Sequence, residues 1–421
     1  MGAISTLSPT RRALWACVLL GAVVRITSWA TKWGDKLQLN DSWYYSAQAH
    51  QLAHGIWFRE IFFDRPGAEH GPLTSVLMAP LSYGADYQSL QRLVTVVTGI
   101  ALVWVLGRFV EEVAGGTAGV VAALIAALYP NLWMNDGLIM SESVSMLLVA
   151  LSMWAAWRAV QVDDSTRVRR SMALLGVVLG LAVLARSELV MLVPLVLLWV
   201  VVVRRRATLS WRPALLVVLA AGLVVMPWVA FNLARFERPV LLSTNDGSTL
   251  LGSNCARTYS GTHLGGWMIF CIAEDPQYLP GEEPSVRSVR QRSLGIHYAL
   301  DHVGEWPKVV AARIGRSMDV YAIKDTIFQD TGEGRPKWAS WVGVVWFWIL
   351  AIGALLGAQR LPRRPRSLLL LPIVVAFAAT VLFYGAHRIR STAEPSLVAL
   401  AAVEIAAWIT ASRRQRREAE T

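Results

Sequence analysis

The sequence predicts an all-α polytopic membrane protein with about ten transmembrane helices. Of its 421 residues, 55% are hydrophobic and only 16% are charged, which is too little charge to cover a soluble protein of this size. Apolar runs of about 18 residues recur along the chain, a length that crosses a bilayer as a helix. The net charge of +11 lies in short arginine clusters between these runs. That distribution indicates membrane topology rather than a nucleic-acid partner.

Ten apolar runs are predicted to span the membrane. They cover residues 13–31, 88–110, 117–133, 141–158, 171–185, 189–203, 213–231, 338–357, 367–384 and 393–411. With Arg11 and Arg12 in the cytoplasm, alternation places every short arginine cluster there, at 11–12, 167–170, 204–206, 360–366 and 413–417. The sequence therefore predicts a multi-pass protein of the plasma (inner) membrane with both termini cytoplasmic.

The spans divide the chain into three predicted parts. Residues 1–231 form an N-terminal membrane module of about seven spans, whose external first loop, 32–86, carries the candidate catalytic residue. The polar segment 232–337 is predicted to be a small mixed external domain, with helical periodicity from residue 285 to about 324. Residues 338–421 form a C-terminal membrane module of about three spans with a basic cytoplasmic tail.

Polar residues at the ends of the spans converge on the predicted outer face. They are Asp41, Asn135–Asp136, Glu142, Arg186–Glu188, Asn245–Asp246 and His387–Arg390. The arginine clusters alone decide the topology, so this convergence is an independent indication of a site. Acids and arginines at an apolar boundary suit a ligand with an anionic phosphate, a polar body and a lipid tail.

Each candidate also has a purely structural interpretation. Asp41 could cap the helix that begins near Trp43, and Glu142 could favour the N-terminus of span four. Arg186 and Glu188 could form an ion pair within a loop. Arg388 and Arg390 could extend to the membrane surface without binding a ligand. His70 could be an ordinary loop residue, and Arg25 could either extend outward or pair with an internal acid.

The three cysteines fall into two groups. Cys17 lies within the first apolar run and is expected to pack there. Cys255 and Cys271 lie in the long polar segment, and an oxidising compartment would favour a disulfide between them.

Six ordered stretches resemble the motifs of one family. They are Asn40–Tyr45 with Ala49, Leu52 and Gly55; His70–Leu73; Tyr129–Pro130 with Gly137 and Ser141–Glu142; Gly176–Arg186; Pro227–Trp228 with Asn232, Ser243–Asn245, Gly247, Gly252 and Asn254; and Tyr384–Gly385 with Arg388, Arg390, Glu394 and Pro395. In this order they resemble the GT-C glycosyltransferases, specifically the bacterial family-39-like relatives of protein O-mannosyltransferases. The resemblance covers most of the chain.

This resemblance implies an inverting glycosyltransferase of cell envelope biogenesis with a GT-C-like fold. Such an enzyme moves a hexose or pentose from a polyprenyl-phosphate donor to a hydroxyl of a glycan, glycolipid or protein acceptor at the outer face of the membrane. The resemblance makes Asp41 the catalytic base. It assigns substrate and phosphate contacts to Arg388, Arg390, Arg186, Tyr44, Tyr45, His70, Glu142 and Asn245. The implied cofactor is a divalent cation, Mg²⁺ or Mn²⁺, which Glu142 could help to bind.

The sequence departs from the family pattern at three positions. The family's Asp-Glu pair is Asp41–Ser42 here, which puts in question any role for a second adjacent acid, such as holding a metal. Gly71 replaces a proline and is expected to change only the stiffness of the loop. Ile389 stands where tyrosine is common.

Two other classes of function are compatible with the composition. A flippase or transporter of a lipid-linked sugar would need ionisable groups on both sides of the bilayer midplane, whereas the candidates here lie on one side. A glycan polymerase or ligase of a different fold would also have a large external loop, but an aspartate directly after span one argues against that class.

Overall fold

The computed structural model describes residues 8–37, 40–273, 279 and 281–420. Over these ranges the regular structure is helical, and the one pairing of extended backbone is an isolated antiparallel bridge between Arg59 and Pro66. The prediction of an all-α fold is therefore confirmed for the described residues. The predicted first loop and external domain also include positions outside these ranges, 38–39 in the loop and 274–278 and 280 in the domain.

The described residues of the N-terminal part of the chain form ten α-helices. They are α1 Pro9–Ala30, α2 Asp41–Ala53, α3 Leu73–Met78, α4 Tyr87–Ala114, α5 Gly116–Leu128, α6 Pro130–Trp133, α7 Glu142–Ala159, α8 Ser165–Ala185, α9 Leu192–Arg206 and α10 Leu215–Leu233. Short 3-10 segments at Ala79–Leu81, Ser187–Met191 and Arg212–Ala214 adjoin α3, α9 and α10.

The polar segment that follows α10 is also helical. It contains α11 Asn245–Ser253, α12 Ala256–Tyr259, α13 Phe270–Ala273, α14 Pro284–Asp301, α15 Trp306–Ser317 and α16 Ile323–Gly332, with 3-10 turns at Gly261–His263 and Val303–Glu305. The described residues of this segment include no strand, which corrects the expectation of a mixed domain. The physical reason is visible in α14, where the buried residues Ser288, Gln291 and Gly295 recur at helical spacing.

The C-terminal part consists of α17 Lys337–Arg360, α18 Arg363–Leu382, α19 His387–Arg390 and α20 Glu394–Glu420, with a 3-10 turn at Ser391–Ala393. In α17, Gly357 packs so closely on α20 that a Cβ atom there would clash with the backbone carbonyl of Leu400. Gly176 allows the same close approach of α8 to Val217 in α10. Small residues at such crossings are typical of helices that pack within a membrane.

Helical structure is present in each of the ten predicted spans, and the third, 117–133, is divided between α5 and α6. Among the residues that the structure describes, eight helical stretches are long and apolar enough to cross a membrane: Pro9–Ala30, Tyr87–Ala114, Ser165–Ala185, Ser187–Arg206, Arg212–Leu233, Lys337–Arg360, Arg363–Leu382 and His387–Glu420. Of the other two predicted spans, the third contains α5, with 13 residues, and the short α6, and the fourth corresponds to α7, with 18 residues. At 1.5 Å per residue α5 is only about 20 Å long. The multi-pass architecture is therefore established, and the count of ten spans stays a prediction.

A buried ion pair joins α1 to the turn after α6. The Arg25 Nε atom lies 2.6 Å from the Asp136 carboxylate, and neither side chain is more than 1% exposed. The remaining guanidinium nitrogens donate to the backbone carbonyls of Gly21, Ala126 and Ala127. Of the two interpretations of Arg25, the structure shows pairing with an internal acid.

Replacing Arg25 by Met should lower the free energy of unfolding by about 3–5 kcal/mol, because the Asp136 carboxylate would stay buried without its partner. The double variant Arg25→Met/Asp136→Asn should recover most of that loss, since it buries no charge. Equilibrium unfolding in detergent measures both. If the double variant were as unstable as the single one, the stabilisation would come from the hydrogen bonds of Arg25 to backbone carbonyls and not from the ion pair.

A disulfide links Cys255 to Cys271 in the segment after α10, and Cys17 is a free, buried cysteine in α1. We expect alkylation of the unfolded, unreduced protein to add one label, at Cys17, as measured by intact mass. Replacing Cys255 and Cys271 by Ser should destabilise the protein by about 3 kcal/mol, because the disulfide closes a loop of moderate length. Three labels on the unreduced protein would contradict the pairing.

Candidate functional site

The site begins at the N-terminus of α2, directly after the first long apolar helix. Asn40 is the N-cap residue, and its side-chain oxygen accepts a hydrogen bond from the Ser42 backbone N–H at 2.8 Å. Asp41 is the first residue of the helix and does not provide the cap. Its carboxylate is therefore free to face other elements, which removes the interpretation of Asp41 as a helix cap alone.

Asp41 contacts two basic side chains from distant parts of the chain. Its Oδ2 atom accepts a hydrogen bond of 2.6 Å from Arg388 Nη2, and its Oδ1 atom lies 3.5 Å from His70 Nε2. Burial by itself would raise the pKa of Asp41, but the Arg388 guanidinium and the His70 imidazole outweigh it and hold that pKa well below its usual value. Asp41 is thus a charged carboxylate at neutral pH.

His70 is oriented by the two tyrosines of α2. Its ring stacks on Tyr45 with the centroids 4.9 Å apart and meets Tyr44 edge-on at 5.1 Å. Burial would lower the pKa of His70, but the Asp41 carboxylate raises it above its ordinary value. Tyr44, Tyr45 and His70 therefore lie at the predicted site, behind and beside Asp41.

Gly71 has a steric role that corrects its interpretation as a matter of loop stiffness. A Cβ atom at this position would clash with the backbone carbonyl of Leu184 in the last turn of α8. Proline carries a Cβ atom, so the residue common in the family would not fit here. The glycine lets the turn that carries His70 pack directly against the end of α8.

Glu142 and Arg186 form the most deeply buried part of the site. Glu142 is completely buried and its Oε1 atom lies 3.2 Å from Arg186 Nη1 and 3.4 Å from Arg388 Nε. Arg186 also pairs with Glu188 at 2.6 Å and donates to the backbone carbonyl of Arg388. The local ion pair of Arg186 and Glu188 thus exists, and Arg186 contacts the central cluster as well.

Glu333 and Arg335 also belong to the site, although no motif in the sequence marks them. Glu333 Oε1 accepts a hydrogen bond of 3.1 Å from Arg388 Nη1. Arg335 contacts the other oxygen of Glu333 and lies 4.0 Å from Glu142. Their position in the sequence could have indicated them, because both residues lie directly before α17, at the same end of the helices as Asp41.

Arg390 lies in a second cluster and does not contact Asp41. It bonds to Asp319 at 2.7 Å and Glu394 at 2.8 Å, and it covers the ring of Phe347. His387 bridges Asp319 and Asp330, with nitrogen–oxygen distances of 2.5 and 2.7 Å. Burial opposes the charge on Asp319, but Arg390 and His387 lower its pKa to about 2. This arrangement holds α19 in place and engages two of the three guanidinium nitrogens of Arg390, whereas its Nη2 atom has no hydrogen-bond partner among the described residues.

Asn245 is also separate from the Asp41 cluster in the contacts that the structure shows. It begins α11, and its oxygen atoms accept hydrogen bonds from the hydroxyl of Ser248, one turn further along. These contacts give Asn245 a local role at the helix N-terminus.

Several buried polar atoms of the central cluster have no hydrogen-bond partner among the residues that the structure describes. They are Glu142 Oε2, which takes part in none of the ion pairs given above, and His70 Nε2 and Arg388 Nε, which face Asp41 and Glu142 at 3.5 and 3.4 Å without a hydrogen bond. Buried polar atoms are normally satisfied, so these atoms indicate capacity for a polar ligand between Asp41, Glu142 and Arg388. Carboxylate and guanidinium groups together can accept a proton and bind an oxyanion.

A family match supports the resemblance seen in the motifs. Residues 81–231 match the family described as dolichyl-phosphate-mannose-protein mannosyltransferase. The matched segment runs from the end of the first loop to α10 and includes Glu142 and Arg186, whereas Asp41 and Arg388 lie outside it. A comparison with curated proteins finds no match.

The fold is similar to that of an archaeal oligosaccharyltransferase. AglB from Archaeoglobus fulgidus, solved with an inhibitory peptide and a dolichol-phosphate, matches with a TM-score of 0.57 and 14% identity over 97% of this chain and 51% of AglB. Another structure of the A. fulgidus enzyme, in complex with Zn and sulfate, matches with a TM-score of 0.58 and 15% identity over 95% of this chain and 51% of that one. This chain thus spans about half the length of the archaeal enzyme.

Two further membrane enzymes show weaker likeness. ArnT from Cupriavidus metallidurans, bound to undecaprenyl phosphate, matches with a TM-score of 0.46 and 18% identity over 92% of this chain and 77% of ArnT. The protein O-mannosyltransferase Pmt1–Pmt2 complex of S. cerevisiae, bound to the sugar donor, matches with a TM-score of 0.43 and 15% identity over 60% of this chain and 37% of that chain.

Proposed function

We propose that this chain is a glycosyltransferase of the GT-C superfamily that transfers a sugar from a polyprenyl-phosphate donor to an acceptor hydroxyl with inversion at the anomeric carbon. The family match over residues 81–231 and the similarity of the fold to the archaeal enzyme support this proposal. The observation that carries the proposal is the contact of Asp41 with Arg388 at 2.6 Å. It combines a group that can accept a proton with a group that can bind a phosphate, at one end of a bundle of apolar helices.

The donor fits the layout of the chain. Its lipid tail would lie along the apolar helices, and its phosphate would reach Arg388 and Arg186 at the ends of those helices. Arginine binds phosphate oxygens with a planar fork that can make two parallel hydrogen bonds. AglB, which has the same fold, was solved with a dolichol-phosphate, and we extend that class of lipid to this chain.

The proposed step is a single displacement at the anomeric carbon. Asp41 takes the proton of the acceptor hydroxyl. At the same time the acceptor oxygen forms a bond to the anomeric carbon, on the face opposite the phosphate. The bond from that carbon to the phosphate oxygen breaks, and its electron pair leaves with the polyprenyl phosphate. Arg388, with Arg186 behind it, stabilises the negative charge that develops there.

The contact with Arg388 also controls the basicity of Asp41. Without donor, the guanidinium and His70 hold the pKa of Asp41 well below its usual value, which makes the carboxylate a weak base. The negative charge of a donor phosphate bound to Arg388 would partly offset the positive charge that stabilises the Asp41 carboxylate, so the pKa of Asp41 would rise. Donor binding thus prepares the base for the acceptor.

A divalent cation does not fit the described side chains as they are arranged. The A. fulgidus enzyme was solved with Zn, but here no group of three or more Asp, Glu, His or Cys side chains among the described residues is placed to hold a metal ion. Glu142, the candidate ligand, faces Arg186 and Arg388 at 3.2 and 3.4 Å. Ser42 stands beside Asp41 where the family carries a second acid. We therefore assign no step to a metal ion.

We further propose that the site faces outward from the plasma membrane and that both termini are cytoplasmic. The arginine clusters support this orientation, since they lie at the opposite ends of the helices from Asp41. Residues 232–337 would then form an external helical segment between membrane modules at 1–231 and 338–421. Reporter fusions that are active on only one side of the membrane test the orientation; a C-terminal fusion should report cytoplasm.

Transfer by the purified protein in detergent tests the function directly. The donors are radiolabelled polyprenyl-phosphate mannose, arabinose and galactose, and the acceptors are an extract of total membranes and cell wall. We expect label to move from one of these donors to the acceptor fraction. Binding of the donors without any transfer would favour the flippase function and overturn the enzymatic one.

A further inference from the structure

Three carboxylates surround the guanidinium of Arg388. Nη2 contacts Asp41 at 2.6 Å, Nη1 contacts Glu333 at 3.1 Å and Nε lies 3.4 Å from Glu142. Glu142 is completely buried, whereas the side chains of Asp41 and Glu333 are 26% and 17% exposed. The solvent-accessible side of Arg388 is thus the side of Asp41 and Glu333. An anion that binds Arg388 from there must compete with one of these carboxylates for the guanidinium.

Glu333 is held beside Arg388 by the turn in which it lies. Arg335 contacts the second oxygen of Glu333, so the carboxylate is fixed from both sides. Asn40 donates to the carbonyl of Gly332 at 3.0 Å, and Lys32 donates to the carbonyl of Gly334 at 3.2 Å. These bonds tie the turn to the segment that leads into α2, so Glu333 cannot readily swing away when Arg388 gains a ligand.

The substrate and product of the proposed reaction differ in the charge on phosphate. The donor is a phosphodiester with one negative charge. The polyprenyl phosphate that leaves is a monoester, which carries about −1.5 to −2 charges at pH 7. A fixed carboxylate next to the phosphate therefore repels the product more strongly than the donor.

We infer that Glu333 determines how tightly Arg388 holds the lipid phosphate, and that it promotes release of the polyprenyl phosphate product. The inference rests on the proposed function, from which it takes the identity of the lipid. In this role Asp41 gives up its contact with Arg388 when the donor binds, whereas Glu333 keeps its own. The retained carboxylate then weakens the binding of the more highly charged product.

The variant Glu333→Gln tests this role, because it removes the charge and keeps the size of the side chain. We expect it to bind undecaprenyl phosphate about tenfold more tightly than the wild type, since one nearby like charge has been removed. Product inhibition of transfer should strengthen by about two- to threefold relative to the KM for the donor, because the singly charged donor is also repelled less in this variant. Direct binding to the full-length protein in detergent is the first measurement.

Glu60→Gln is a matched control. Glu60 is a similarly shielded acid, 15% exposed, that pairs with Arg65 and Arg287 in the external part of the chain. It should leave the affinity for undecaprenyl phosphate unchanged. General damage to the fold would weaken binding, so tighter binding in Glu333→Gln distinguishes the proposed role from a structural one.

The outcomes separate this inference from the proposed function. Binding by Glu333→Gln that is equal to or weaker than wild-type binding overturns the role of Glu333, even if the wild type transfers sugar. A wild type that binds undecaprenyl phosphate and transfers no sugar overturns the function, and the binding comparison still decides whether Glu333 competes for Arg388. A wild type that binds no polyprenyl phosphate overturns both.

Discussion

Replacing Asp41 by Asn should reduce sugar transfer by roughly 10²–10⁴-fold, the contribution typical of a positioned general base. The amide cannot accept the proton of the acceptor hydroxyl, although it has nearly the same shape as the carboxylate. The variant should remain folded, because Arg388 keeps its contacts with Glu333 and Glu142. The reduction is measured as the ratio of initial transfer rates, with whichever of the three radiolabelled donors the wild type uses.

Two further measurements make this prediction specific. Binding of undecaprenyl phosphate should be retained or strengthened in Asp41→Asn, because the carboxylate no longer competes for Arg388. Asp64→Asn serves as a control at an acid of the same loop whose side chain is 95% exposed, and it should transfer sugar at the wild-type rate. Full activity in Asp41→Asn would refute the assignment of Asp41 as the base.

Arg388→Lys should lower kcat/KM for transfer by about 10²–10³-fold, as expected when a charge-stabilising donor is lost from a site. A lysine ammonium is a point charge on a flexible stem and cannot contact Asp41, Glu142, Glu333 and a phosphate at once. We also expect weaker binding of undecaprenyl phosphate, because the forked contact is lost. Steady-state kinetics and direct lipid binding, measured on the same preparation, test both effects.

Arg390→Lys provides the contrast, since Arg390 lies two residues away and has different partners. It bonds to Asp319 and Glu394 within a buried cluster, so its replacement should lower the unfolding temperature. The folded fraction should keep its affinity for undecaprenyl phosphate. Equal loss of lipid binding in Arg388→Lys and Arg390→Lys would contradict the distinction that the structure makes between the two arginines.

The different partners of Arg388 and Arg390 could not be predicted from the sequence. Both were expected to bind phosphate, yet they lie in α19, a single helical turn. At 3.6 residues per turn, residues two apart project about 200° apart around the helix axis. They therefore face opposite directions, and packing decides which one meets Asp41. Helical geometry could have separated the two roles, but it could not have selected Arg388.

Other candidates were identified because their signal was local. Asp41, Glu142 and Arg186 lie near the ends of apolar runs, and alternation of the spans brings such ends to one face. His70 lies within the first loop and was selected only because His70–Leu73 resembles a family motif. Glu333 and Arg335 carried no motif and lie at the end of a polar segment. Their contacts with Arg388 depend on how the turn before α17 packs against α2, which no periodicity in the sequence describes.

A helical membrane protein whose polar candidates share one end of the helices could be predicted from the amino-acid sequence alone. Hydrophobic length and charge distribution are enough for that, because the bilayer imposes them on each segment separately. Two features are visible only in the folded chain: Asp41 pairs with Arg388, 347 residues further along the chain, and Glu333 contacts the same guanidinium. The physical reason is that an ion pair depends on side-chain distances of a few ångströms, and these arise when distant helices pack together.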